Sequence, residues 1–181
     1  SLRVETDFSR IFRQESEIVQ ALEFFESRMG GAGSWEVNFP WTNGLTAESL
    51  EPLRRLTARL RQVETPAGAR LTKVISLTDG IDFSPGRSIE EKLERLRSIQ
   101  PEFVSSLYNP AAGRMRVVLR ALERQPAEVK LALIDAVTAV AREVYPEARP
   151  TGLYLLLADL IKSLLHDQLV SFSLAACGIL L

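Results

Sequence analysis

The sequence is poor in the residues from which many active sites and metal sites are built. It has one cysteine and one histidine among 181 residues, so an internal disulfide is excluded and a metal site made of cysteine or histidine is disfavoured. It also has no glycine-rich phosphate loop, no GxSxG nucleophile elbow and no HExxH metal motif. We therefore disfavour an enzyme, and we expect neither a cofactor nor a bound metal ion.

An excess of charge of one sign is lacking as well. The 22 lysines and arginines balance 23 aspartates and glutamates, which gives a net charge of −1. Because nucleic-acid-binding domains are usually basic, we expect no nucleic-acid partner. The chain is about one domain long, and its 46% hydrophobic and 25% charged residues are typical of a globular protein rather than a disordered one.

The C-terminal stretch lacks charge altogether. No charged residue occurs from Leu169 to Leu181, but a membrane span needs roughly 20 apolar residues, so this run alone could be a buried core helix. The chain stops while still apolar and opens on Ser1, without an initiator methionine or a signal peptide. We therefore expect a piece of a larger membrane protein, in which residues 159–181 begin a transmembrane helix. The last strongly polar residues before the uncharged run are Lys162, His166, Asp167 and Gln168.

Helical and strand patterns alternate along the rest of the chain. After a weakly alternating lead-in at residues 1–14, a period of 3.6 predicts a helix at residues 16–29 that Gly30 ends. The expected buried stripe of this helix is Ile18, Leu22, Phe25 and Met29. Residues 34–39 alternate with period two, which predicts a half-buried strand.

A second helix is predicted from about residue 47 or residue 49 to residue 63, with one apolar and one basic face. The apolar stripe consists of Leu50, Leu53, Leu56, Leu60 and Val63, and the basic face of Arg54, Arg55, Arg59 and Arg61. Residues 70–77 then have the pattern of a second strand.

Residues 78–113 interrupt this alternation and are predicted to be an insertion. It begins with a turn rich in glycine and proline at residues 78–86, and Ser88 with Glu91 then opens a short helix as a capping box. A second helical piece is predicted near residues 103–108. We expect the insertion to pack over the edge of the domain, where a loop on a rigid scaffold can carry a function such as substrate gating.

The clearest strand pattern lies at residues 114–122. Its apolar face consists of Met115, Val117, Leu119 and Ala121, and its wet face carries Arg114, Arg116 and Arg120. Pro126 starts a long helix that Pro146 stops, and a short strand is predicted at residues 148–155. The expected stripe of the long helix is Val129, Leu133, Val137, Val140 and Val144.

Taken in order, residues 34–155 have the pattern strand, helix, strand, insertion, strand, helix and strand. This βαββαβ order predicts an α+β fold of the ferredoxin-like sandwich type, with both long helices on the same face of one antiparallel-rich sheet. The predicted divisions are 1–33 for the lead-in and first helix, 34–158 for the domain with its insertion at 78–113, and 159–181 for the transmembrane start. This fold hosts many activities and does not give the function.

Few side chains are candidates for chemistry. Asp79 and Asp82 lie in the predicted turn and could bind a cation, but no further carboxylate completes a calcium loop, so a solvated turn is favoured. His166 beside Asp167 could relay protons, although a polar position at the membrane boundary is favoured. Cys177 is most simply a small buried hydrophobe.

Two tryptophans and the arginine row are candidates for contact with a ligand or partner. Trp35 and Trp41 flank one strand and could line a substrate path, although packing in the core or at its rim is favoured. The arginines at positions 54 to 61 could contact phospholipid or a partner protein, although a solvated helix face is favoured. No substrate-binding residue is assigned.

The sequence also resembles a known family. The segments ETDFSRIF, MGGAGSWEVNF and TKVISLTDGID follow one another in the first half, and the second half runs from RMRVVLRALERQ to TGLYLLLADLIKSLLHDQLVSF. Their order and spacing resemble the extracytoplasmic domains of transporters of the resistance, nodulation and division (RND) superfamily, and most closely its MMPL and Patched-like branch of predicted lipid and hydrophobe exporters. The resemblance covers nearly the whole chain and implies a porter-type domain that stands on the membrane.

The resemblance further implies transport by a proton-driven exporter in the inner (plasma) membrane, with this domain on the periplasmic or extracytoplasmic side. The implied partners are a lipid or other hydrophobic substrate, the membrane and the remaining domains of the same transporter. Whether the protein forms a homo-oligomer is left open. The proton-relay carboxylates of that family lie in membrane helices outside this sequence, so none is assigned. The alternative is a free-standing soluble α/β module that binds a ligand or regulates, with its last helix packed on its own sheet or in a dimer.

Overall fold

The structure, a computed structural model, describes residues 15–123 and 125–156 and the single positions 160, 163, 167, 168, 170 and 171. The predicted lead-in at residues 1–14 and most of the predicted transmembrane start at residues 159–181 lie outside this description. Among the described residues, no helix combines the length and the apolar character needed to cross a membrane.

The fold is α+β, as predicted, with helices on an antiparallel sheet. The helices of the described part are α1 (Glu17–Met29), α2 (Ala47–Arg61), α3 (Leu77–Phe83), α4 (Ile89–Ile99), α5 (Pro101–Leu107) and α6 (Ala127–Val144). Its strands are β1 (Gly33–Pro40), β2 (Lys73–Ile75), β3 (Tyr108–Asn109), β4 (Arg114–Ala121) and β5 (Arg149–Thr151).

The strands form a single sheet with the order β2-β4-β1-β5, in which every pair is antiparallel. β1 and β4 pair along their whole length, from Gly33 opposite Ala121 to Pro40 opposite Arg114. Because β1 occupies one side of β4, the short strand β3 pairs on the other side, next to β2. The strands predicted within residues 34–39, 70–77 and 114–122 were expected in one antiparallel-rich sheet, and β1, β2 and β4 confirm this.

One face of this sheet carries the core. Every second side chain of β1 and β4 is buried in it, namely Trp35, Val37, Phe39, Met115, Val117, Leu119 and Ala121. The predicted stripe of α2 is buried in the same core. α6 also contributes to this core and contacts α2, so both helices cover the same face, as predicted.

The second strand is much shorter than predicted, and the turn predicted at residues 78–86 is wrong. The strand predicted at residues 70–77 covers only Lys73–Ile75, and the chain then forms α3. The reason is local, because the backbone N–H of Ser76 donates to Asp79 Oδ2 at 2.8 Å. This contact is one half of a capping box, which favours a helix start over a longer strand.

The last strand is also shorter than predicted. It ends at Thr151 instead of residue 155, and a helical turn begins at residue 153. Gly152 separates them with a φ of +128°, and a Cβ there would lie 3.0 Å from Trp35 Cα. A positive φ this close to another backbone favours glycine. The turn of the chain at Gly152 ends the pairing between β5 and β1.

The buried faces of α1 and α6 differ from the predicted stripes. In α1, Ile18 and Phe25 are exposed, whereas Val19 is buried. In α6, the buried residues are Lys130, Leu133, Ile134, Val137 and Ala141, while the predicted Val129, Val140 and Val144 are only half-buried. The period of a helix marks its apolar arc, but the neighbouring elements determine which part of the arc is covered.

The insertion lies at the β2 side of the sheet. Its strand β3 pairs with the start of β4, and its helices α3, α4 and α5 contact one another, with α3 also touching α2. It is continuous with the main core, because Ile81, Leu93, Leu96, Val104 and Leu107 belong to the same buried cluster. The insertion therefore extends the core sideways and does not form a separate unit.

Candidate functional site

The sheet has two ends with different surroundings. We call the end where β1 begins at Gly33 and β4 finishes at Ala121 the near end. Gly33 begins β1, and Tyr154 follows the end of β5. A Cβ on Gly33 would lie 2.7 Å from the Tyr154 ring, so the chain enters β1 and leaves β5 at this same end. The opposite end, the far end, carries the loop between β1 and α2 and the C-terminus of α6.

A groove with a cavity volume of about 990 Å³ opens at the far end. Its lining includes Trp41 and Tyr145, with Pro52 and Arg55 from α2. A volume of roughly 300 to 1,000 Å³ is typical of small-molecule sites. The groove is therefore large enough for an organic ligand.

Local contacts hold the groove in shape. The backbone N–H of Trp41 donates to the carbonyl of Gly113 at 2.7 Å, which fixes the chain just after β1. Thr46 and Ser49 cap α2 reciprocally, with the Thr46 N–H donating to Ser49 Oγ at 2.9 Å and the Ser49 N–H to Thr46 Oγ1 at 3.1 Å. Since the first turns of α2 line the groove, this capping box sets one of its walls.

Aromatic rings form an apolar surface at the groove. The Tyr145 ring stacks on Phe39, with centroids 4.0 Å apart and planes at 10°, and lies 6.4 Å from the Trp41 ring. Phe39 is fully buried and anchors this stack to the core. Such rings contribute a large apolar contact area at a small cost in conformational entropy.

Two polar atoms of these rings have no hydrogen-bond partner. Trp41 Nε1 and the Tyr145 hydroxyl are both buried and unpaired within the described structure. Burial raises the pKa of Tyr145 to about 12, and the nearby Arg55 opposes this shift. A buried polar group without a partner costs about 1–3 kcal/mol, so a hydrogen-bond acceptor brought to either donor would offset this cost.

The charges around the groove are mixed. Arg55 makes no ion pair with any described residue, while Glu51 pairs with Arg54 at 3.4 Å and Glu48 is exposed on the same rim. With Glu51 paired to Arg54, one cation and one carboxylate remain, Arg55 and Glu48, and they favour an ion of neither sign. The groove thus suits an apolar or amphiphilic molecule with acceptor oxygens.

The two candidate aspartates do not form a cation site. The structure places them on α3, where Asp79 pairs with Arg61 at 2.6 Å and Asp82 accepts from Arg54 Nε and Nη2 at 2.8 and 2.7 Å. The hydrogen bond from Arg54 lowers the pKa of Asp82. Within the described ranges, no group of three metal-ligating side chains comes together.

The arginine row of α2 is divided among different neighbours. Arg54 and Arg61 bind α3, and Arg59 forms an ion pair with Glu143 of α6 at 2.5 Å. Arg55 alone of the four lines the groove. The spacing in the sequence indicated a basic face, but the partners that neutralise it come from distant parts of the chain.

Trp35 lies in the core, as favoured from the sequence, and belongs to a cluster that sequence reasoning missed. Its ring stacks on Tyr154 with centroids 6.1 Å apart. Lys130 is only 4% exposed, and its Nζ pairs with Glu123 Oε1 at 2.9 Å and lies 5.5 Å from the Tyr154 centroid. Burial, and to a lesser degree the charge of Glu123, raise the pKa of Tyr154 well above its usual value.

The remaining candidates lie in the C-terminal stretch. Asp167 is helical and exposed, whereas His166 and Cys177 lie outside the described residues. The predictions for those two side chains therefore stay predictions.

Comparison with known proteins gives no relative of this chain: no family model, no curated protein and no solved structure matches it.

Proposed function

We propose that this chain is the extracytoplasmic substrate-handling domain of a proton-driven RND-type exporter of lipids or other hydrophobic compounds. In this proposal the domain has the ferredoxin-like porter topology, and residues 159–181 enter the inner membrane. The sheet order β2-β4-β1-β5, with α2 and α6 on one face, supports that topology.

The observation that carries the proposal is the position of the two connections. The segment before β1 and the segment after β5 both lie at the near end of the sheet. A domain placed between two membrane helices needs both connections on the side that faces the bilayer. The uncharged stretch at residues 169–181 follows one of these connections, as expected for a helix that enters the bilayer.

The groove at the far end supports the handling of a hydrophobic compound. It combines the Trp41 and Tyr145 rings with the apolar edge of Pro52. Its mixed charges favour neither a cation nor an anion, so apolar contact would contribute most of the affinity.

Flotation with liposomes tests the membrane part of the proposal. The full chain is compared with the double variant Leu174→Arg/Ile179→Arg, because each arginine near the centre of a span costs about 2.5–3.5 kcal/mol on insertion scales. The matched control is Phe83→Arg/Ile99→Arg, since these side chains are 93% and 70% exposed. We expect the parent and the control to float and the tail variant to stay in the dense fraction.

The groove is tested with brominated short-chain phosphatidylcholine below its critical micelle concentration, which quenches tryptophan emission on contact. The chain has two tryptophans, so Trp35→Phe reports Trp41 in the groove and Trp41→Phe reports Trp35 at the near end. We expect quenching in the first variant and little in the second. Equal quenching in both variants, or in neither, contradicts the groove.

The second candidate is a free-standing ligand-binding module, which the continuous core of the described residues also allows. It predicts groove binding together with a full chain that is a monomer or a dimer in solution and does not bind liposomes. That combination of results would replace the transporter proposal.

A further inference from the structure

The sheet face opposite α2 and α6 carries a cluster of arginines around Asn38. The register places Asn38 directly opposite Arg116 on β4 and opposite Arg149 on β5. Arg114 lies two residues from Arg116 on the same face of β4, and its Nε donates to Asn38 Oδ1 at 2.7 Å. Side chains directly opposite on antiparallel strands lie about 4.5–5.5 Å apart at Cβ. Three guanidinium groups therefore share one neighbourhood.

The carboxylate on this face cannot neutralise all three arginines. Glu36 accepts from Arg116 Nη1 at 2.6 Å through one oxygen and from Thr151 Oγ1 at 3.1 Å through the other. No carboxylate in the described part of the chain forms an ion pair with Arg114 or Arg149. Two positive charges around Asn38 are thus left without a counter-charge from these residues.

A cavity of about 270 Å³ adjoins Arg114. It lies between β4 and the connection from α5 to β3, and its polar lining includes Asn38, Ser106, Asn109 and Arg116. Arg116 Nε also donates to the carbonyl of Ser106, which ties the end of α5 to β4 and fixes one wall. The volume is several times the roughly 30 Å³ share of one water molecule and lies just below the range of drug-sized sites.

We propose that this cavity binds a phosphate or carboxylate group. Arg114 has its Nε held by Asn38, so its two terminal nitrogens are oriented and have no partner among the described residues. An arginine oriented in this way can bind two oxygens of a planar or tetrahedral oxyanion at once. Arg149 lies opposite Asn38 on β5, outside the lining of the cavity, and adds a second positive charge to the surroundings. This inference is independent of the proposed transport function, because it uses the other face of the sheet.

Thermal unfolding of the full chain in neutral detergent tests the site, with inorganic phosphate as the probe and sodium chloride at matched ionic strength as the reference. We expect phosphate to raise the Tm of the parent and of the control Arg97→Gln, whose arginine is exposed on α4. Arg114→Gln should weaken phosphate binding roughly tenfold or more. Arg149→Gln should weaken it only about two- to fivefold, because its charge is exposed and screened.

Further arms separate charge from geometry and identify the source of the group. Arg114→Lys keeps the positive charge but loses the paired N–H donors of the planar guanidinium. We therefore expect this variant to bind phosphate nearly as weakly as Arg114→Gln. Short-chain phosphatidic acid, compared with short-chain phosphatidylcholine, tests a lipid headgroup. A Tm shift with phosphatidic acid alone assigns the site to a headgroup, and a shift with phosphate as well assigns it to the phosphate group itself.

Two results overturn the proposal. The first is a Tm shift that sodium chloride reproduces at the same ionic strength, and the second is a phosphate shift that Arg114→Gln leaves unchanged. Should Arg114→Gln fail to fold, Arg114→Lys decides the question, because it keeps a positive charge at the cavity wall and loses the paired donors of the guanidinium. An undiminished phosphate affinity in that variant is then the refuting result.

Discussion

The pair formed by Lys130 and Glu123 should respond very unequally to the loss of one partner or the other. Lys130 is 4% exposed, whereas the Glu123 side chain is 23% exposed and reaches water. Glu123→Gln leaves a buried ammonium facing only a neutral amide and the Tyr154 ring 5.5 Å away. Removing one partner of a fully buried pair costs about 3–5 kcal/mol. Because water reaches Glu123, we expect a smaller loss of about 2–3 kcal/mol in the free energy of unfolding.

The opposite substitution should be mild. Lys130→Met keeps an unbranched side chain of similar length and leaves Glu123 able to turn towards water. It loses the contact with the Tyr154 ring, and cation–π contacts contribute about 0.5–2 kcal/mol, but it also removes the desolvation cost of the ammonium. The net change we expect is about 0–1 kcal/mol. The double variant should resemble Lys130→Met, because neither charge remains.

Urea denaturation of the full chain at pH 7 measures these values as a double-mutant cycle. The expected coupling between the two positions is about 2 kcal/mol. Equal losses in the two single variants, or losses that simply add in the double variant, would show that the buried ammonium does not depend on Glu123 and would refute the reasoning.

Two further predictions concern α3. Gly80→Ala should lower the free energy of unfolding by about 1–3 kcal/mol, the usual cost of overpacking, because the new Cβ would lie 2.5 Å from Phe103 Cε1 and 2.8 Å from Leu96 Cδ2. The control is Gly44→Ala, whose Cβ meets nothing within 4 Å. Equal melting temperatures of the two variants would contradict this prediction. Asp82→Asn should cost only about 0.5 kcal/mol at pH 7, since the side chain is 47% exposed. The lowered pKa of Asp82 means that this contribution is present above the ordinary value of 3.8 and lost as the pH falls through the lowered pKa, so a penalty that persists in strong acid is the contrary result.

The elements that the sequence predicted well are those in which one pattern decides the outcome. The stripe of α2 and the alternation of β4 each place apolar side chains on one face, and both faces are buried as expected. The predicted length of the second strand was wrong because two sequence signals overlap at Ser76. The alternation of residues 70–77 favoured a strand. The hydrogen bond from the Ser76 N–H to Asp79 favours a helix start instead, and the chain forms α3 from Leu77.

The candidate site could be predicted only in part. Trp41 was singled out from its position beside a strand, but the groove also needs Tyr145, which lies more than a hundred residues away and reaches Trp41 only through the fold. Lys130 was missed because the predicted buried stripe of this helix contained only apolar residues, whereas the structure buries this lysine as well. Its partner Glu123 precedes the helix, and helical spacing alone does not predict such a pair.

The unpaired hydroxyl of Tyr145 gives a last test of the groove. Tyr145→Phe keeps the stack on Phe39 and removes a buried polar atom without a partner, so we expect equal stability or a gain of up to about 1 kcal/mol at pH 7. The raised pKa of Tyr145, about 12, has a second consequence. The unfolded chain ionises near pH 10, so the parent loses stability as the pH rises from about 10 to 12, and the variant should lose less. Urea denaturation at pH 7 and pH 11 measures both effects. A variant that is destabilised by more than about 1 kcal/mol at pH 7 would mean that the hydroxyl has a bound partner in solution, which contradicts its assignment as a buried donor without a partner.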